Sequence, residues 1–167
     1  MFLLLALALI PQDPDPTIPT QALVVATASA RGVQIYRCDP QPTGQTKAYK
    51  WVFQAPQATL LDSVNHQPVG THSAGPTWLW QDGSSITGKV VATLTSPVPN
   101  SIPWLLLEAH QVVEGAHGML TSVTLVRRSD TEGGLAPATG CDAPNAGALT
   151  RVPYTATYTF YRPADSQ

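Results

Sequence analysis

The chain has 167 residues, of which 12% are charged, with a net charge of -2 and a pI near 6.0. Nine Lys and Arg against eleven Asp and Glu leave no basic face for a phosphate backbone, so nucleic acid is not an expected partner. A 43% hydrophobic content argues against disorder, while 16 Pro and 12 Gly argue against a helical bundle; the length fits one core.

The chain starts with an unbroken apolar run, Phe2 to Ile10, followed by a Pro- and Asp-rich stretch from Pro11 to Pro19. The run has signal-peptide length and is shorter than the roughly 20 residues of a membrane-spanning helix, so export to the periplasm or the exterior is expected and no transmembrane segment. No Lys or Arg precedes it, and its one A-x-A triplet, Ala6-Leu7-Ala8, lies inside it. Residues 1–18 read as leader and linker, and 19–163 as one β domain.

Period-two alternation dominates the rest, and no long window keeps a 3.6-residue period. Leu23 to Ala28 and Gly32 to Cys38 are expected strands, the second with Val33 and Ile35 on one face and Gln34 and Tyr36 on the other. Tyr49, Trp51 and Phe53 alternate in a strand that Pro56 is expected to end, and Ala58 to Leu61 form a short one before a polar loop. Thr77 to Leu94 reads as a hairpin, because Asp82-Gly83 suits a two-residue turn with positive φ. Ile102 to Ala109 fits a buried strand and Met119 to Arg127 another. Ser129 to Leu149 reads as an irregular loop. In the last strand Tyr154, Ala156, Tyr158 and Phe160 face one way and Thr155, Thr157 and Thr159 the other. About nine strands with antiparallel turns predict an all-β, single-domain antiparallel β-sandwich, with a partly closed β-barrel as the alternative.

Cys38 and Cys141 are the only cysteines, and their spacing excludes a C-x-x-C redox or zinc motif. In an exported chain they read as one structural disulfide, worth at most about 4.7 kcal/mol for a loop of about 100 residues; in a cytosolic chain they would be two buried thiols.

Catalytic motifs are lacking. There is no G-x-S-x-G elbow, no phosphate-binding glycine loop and no H-E-x-x-H, so no cofactor or resident metal is expected. His72, in the segment Gly70 to Trp78, is placed on a loop at the rim of the domain. Glu108 and His110 would share a strand face with Trp104 and Leu106. The candidate ligand-binding residues are therefore His72, Trp78, Trp104, Glu108 and His110, in a non-catalytic module that binds a small ligand, a glycan or a protein, or serves a structural role. The alternative is a hydrolase or metal-dependent enzyme using His72, Glu108 and His110.

Several segments together resemble the DUF3455 family: Gly32 to Cys38, Gly70 to Trp78 with Asp82-Gly83-Ser84, Ile102 to Leu106, Thr131 to Pro137 with Gly140-Cys141, and Tyr154 to Tyr161. The resemblance runs from about Pro19 to Arg162 and implies an exported domain of unknown function with Cys38 paired to Cys141. It carries over no catalytic residue.

Overall fold

The computed structural model describes residues 18–42 and 48–164. The leader expected at residues 1–18 lies almost wholly outside the described residues. Eight strands follow in chain order: β1 (Ala22–Gln41), β2 (Ala48–Asp62), β3 (Pro68–Ser73), β4 (Thr77–Trp80), β5 (Ser85–Leu94), β6 (Trp104–Gln111), β7 (Leu125–Gly133) and β8 (Leu149–Pro163). Among the described residues the only helical element is a 3-10 turn at Ala143–Asn145.

The all-β antiparallel expectation holds. Each strand pairs with the next, and β1 pairs with β8 as well as with β2, so the single sheet joins its own ends in a closed barrel. Two separate facing sheets would each keep two open edges; here the first and last strands pair, and open edge remains only along parts of strands, such as β2 before Ala58 and β5 after Thr87. Opposite walls nevertheless meet through their side chains as the sheets of a sandwich would. Trp78 on β4 makes edge contacts with Tyr158 and Phe160 on β8, at centroid distances of 5.6 and 6.2 Å.

Several element boundaries differ from the sequence expectation. β1 is one strand rather than two, since its residues pair continuously with β2 from Ala28 to Gln41 and with β8 through Arg37. β2 runs through Pro56, because β3 begins to pair only at Ala58 and the proline therefore removes no ladder bond on that side. The segment holding His72 is a strand, β3, and not a rim loop. The hairpin of β4 and β5 turns at Asp82-Gly83, but through the three residues Gln81 to Gly83 rather than two: Gly83 N–H donates to the Trp80 carbonyl and only Gly83 has positive φ, 87°. Met119 to Val123 is turn, not strand; β7 starts at Leu125 and extends to Gly133, which shortens the irregular region to residues 134–148.

Cys38 and Cys141 are joined by a disulfide with Cα atoms 5.3 Å apart. It fastens that irregular loop to the end of β1, where Gly147 N–H also donates to the Cys38 carbonyl and Trp51 Nε1–H to the Thr139 carbonyl.

An eight-stranded barrel is just wide enough for side chains to fill it or for one small ligand to share it. Here one pole is filled. Trp80, Ile86, Leu60, Val126 and Phe160 pack there, with Ala28, Ala30, Ala58 and Ala156 leaving room for the large rings. Leu120, fully buried, is tucked under the β4–β5 turn: its N–H donates to Ser84 Oγ and the Met119 N–H to the Asp82 carboxylate. The other pole, toward the β3–β4 turn, buries Tyr36, Ile102 and Tyr154 but is only partly filled.

Candidate functional site

A cavity of about 180 Å3 opens at the partly filled pole. Its floor is Trp78, Leu107 and Tyr158, and its rim includes Phe53 and Val90, each about half exposed. Strand parity builds it. Tyr158 follows Tyr154 and Ala156 on the inward face of β8, Arg128 follows Val126 on β7, and Leu105 and Leu107 alternate on β6.

The lining is mostly apolar but carries the polar side chains Gln34, His72 and Arg128, with the exposed Gln54 at its edge. His72 is 3% exposed. Its imidazole stacks on Trp78, with centroids 4.6 Å apart, and packs at 4.9 Å against Tyr158. Nδ1 lies 3.0 Å from the Thr77 carbonyl, which can only accept, so Nδ1 carries the proton. Burial lowers the His72 pKa from 6.5 to about 4, outweighing the opposing pull of that carbonyl, and the charge of Arg128 lowers it further. The ring is neutral at physiological pH.

Arg128 donates from Nε and Nη2 to the Pro103 carbonyl, at 3.1 and 2.8 Å. It also hydrogen-bonds Tyr158, whose hydroxyl pKa is nonetheless raised by burial. Its charge is felt by Tyr36, Tyr154, Tyr158 and His72. Among the described residues no carboxylate forms an ion pair with it. Gln34 is 2% exposed, and its Nε2 has no hydrogen-bond partner; neither has the buried Nε1 of Trp78.

The five residues singled out from the sequence fall into two groups. His72 and Trp78 are stacked inside the barrel and line the cavity. Trp104, Glu108 and His110 do share a strand face, but it is the outer one, since Leu105, Leu107 and Ala109 between them point inward. Trp104 carries the Arg127 guanidinium 5.1 Å above its ring, and Glu108 and His110 are exposed. The barrel wall therefore separates His72 from Glu108 and His110, against the alternative reading in which the three act together. Among the described residues no cluster of three His, Cys, Asp or Glu is placed to hold a metal ion.

Gln34, Arg128 and Tyr158 were not among the sequence candidates. Tyr158 belongs to the alternation read on the last strand, and Arg128 lies one residue past the strand expected over Met119 to Arg127. Polarity alone argued for placing Gln34 and Arg128 outside.

No helix among the described residues is long and apolar enough to cross a membrane. No curated protein and no solved structure matches the chain. One family model does, that of a protein of unknown function (DUF3455), over residues 19–162, and by that match across most of its length the chain belongs to the DUF3455 family.

Proposed function

We propose that the protein is an exported, non-catalytic module that binds one small, largely apolar ligand inside its barrel. The observation that carries this reading is the cavity at the partly filled pole, where a buried amide, a neutral histidine and a guanidinium converge on an otherwise apolar lining. A barrel of this width is either filled by side chains or holds one small ligand, and this one keeps a cavity beside its packed core. In size the cavity is comparable with one of about 150 Å3 that accepts benzene, so the ligand, or the part of it that enters, is a single ring or a short branched chain. The apolar leader and the disulfide support secretion or a periplasmic site.

The test is a thermal-shift screen of fragments of roughly six to twelve heavy atoms against the full chain and against Val90→Trp, which places an indole across the rim. Fragments should raise the midpoint of the wild type and not of the variant. A screen in which no fragment does so, or in which the variant responds equally, would overturn the reading.

A further inference from the structure

We propose that the cavity takes a small organic carboxylate, its anionic end against Arg128 and Gln34 and its apolar body against Trp78, Leu105 and Leu107. The inference rests on the reading of the cavity as a ligand site and adds the ligand's charge and head group.

Donors outnumber acceptors at the cavity. The large majority of buried side-chain polar atoms in folded proteins have hydrogen-bond partners. Two buried side-chain donors at this cavity, Gln34 Nε2 and Trp78 Nε1, have none. Arg128 has five N–H hydrogens, and its Nε and Nη2 converge on one carbonyl oxygen, that of Pro103. It carries a positive charge that no carboxylate of the described residues pairs. A guanidinium partly withdrawn from water without a counterion costs free energy that an apolar residue of the same size would not. What the site lacks is an acceptor with negative charge.

A carboxylate meets that need. It only accepts, has about four lone-pair positions, and matches the fork of a guanidinium. An ammonium ligand would meet Arg128 as a like charge, and a neutral ligand would leave the charge unpaired. His72 adds no competing cation, since its one ring proton is held by Thr77. An acidic peptide is excluded by size: a cavity of about 180 Å3 holds one ring and its head group.

Three probes of one shape test this by calorimetric titration of the full chain near neutral pH: benzoate, benzyl alcohol and benzylammonium. Benzoate should bind about tenfold or more tightly than benzyl alcohol, as expected for hydrogen bonds to a charged group, and benzylammonium not measurably. Arg128→Met should remove the preference while benzyl alcohol binds the variant about as before. Gln34→Met should weaken it several-fold and serves as the variant if Arg128→Met does not fold. Equal binding of benzoate and benzyl alcohol overturns the carboxylate inference but leaves a ligand cavity standing. Failure of all three probes overturns both, and benzoate binding that survives Arg128→Met and Val90→Trp overturns the assignment to this cavity.

Discussion

The imidazole of His72 lies flat on the indole of Trp78, the planes 10° from parallel, and the two residues are cross-strand partners on β3 and β4. The contact ties the charge state of one residue to the packing of the barrel. Unfolded, His72 titrates near 6.5; folded, near 4. Between those values the unfolded chain binds a proton that the folded chain does not. Stability from this group is therefore whole above about pH 6.5, declines as the pH falls, and levels off below about pH 4, a total loss of about 3 kcal/mol. Urea unfolding at about pH 7.5 and about pH 4.5 should show most of that loss in the wild type but not in His72→Phe. Parallel pH dependence in the two proteins would show that His72 does not govern it.

Reduction should loosen the barrel without dissolving its design. The disulfide closes a separation of 103 residues, and replacing both cysteines with Ala should cost about 2–5 kcal/mol, lowering the melting temperature by roughly 10 °C. Scanning calorimetry with and without reductant measures the shift. A change below about 2 °C would mean that the backbone bonds joining Cys38 to Gly147 and Ala148 already anchor the loop.

The outer-wall pair should be dispensable. Glu108→Gln with His110→Asn alters two exposed side chains with the barrel wall between them and the cavity. Stability should stay within about 0.5 kcal/mol, and the affinity of any cavity ligand should not change. Loss of binding in this double variant would reinstate the outer face as a site.

Gly88 is where the cavity floor has no spare room. A Cβ there would lie 2.8 Å from Cζ3 of the Trp78 ring and 3.2 Å from a Leu107 methyl. Gly88→Ala should therefore displace the indole and cost about 1–3 kcal/mol, visible as a shift of tryptophan emission alongside a lower melting temperature. An unchanged spectrum and an unchanged melting temperature would mean the floor can yield.

The fold was most readable where its two faces differ in polarity. On β8 threonines face out and rings face in, so the alternation declared both the strand and its inward side. On β1 the pattern Gln34, Tyr36, Cys38 was visible as a face, yet a glutamine on it hid the fact that this face is the interior. β3 escaped notice because Gly70, Thr71 and His72 have neither apolar character nor alternation, and only closure of the barrel buries the histidine. Ring closure itself depends on β1 meeting β8, a pairing across almost the whole chain that no local pattern encodes. The site residues share this cause: Gln34, His72 and Arg128 are the inward positions that break the polar-out rule, so a polarity reading puts them on the wrong side of the wall.

Joining β1 to β8 also sets an order of events for the nascent polypeptide. Strand Ala22–Gln41 waits for Leu149–Pro163 before its second edge is covered, so hairpins can form during synthesis but the ring cannot shut until β8 has been made. The same order holds for the disulfide: Cys38 leaves the ribosome 103 residues before Cys141, so the staple is set only when the ring is about to close.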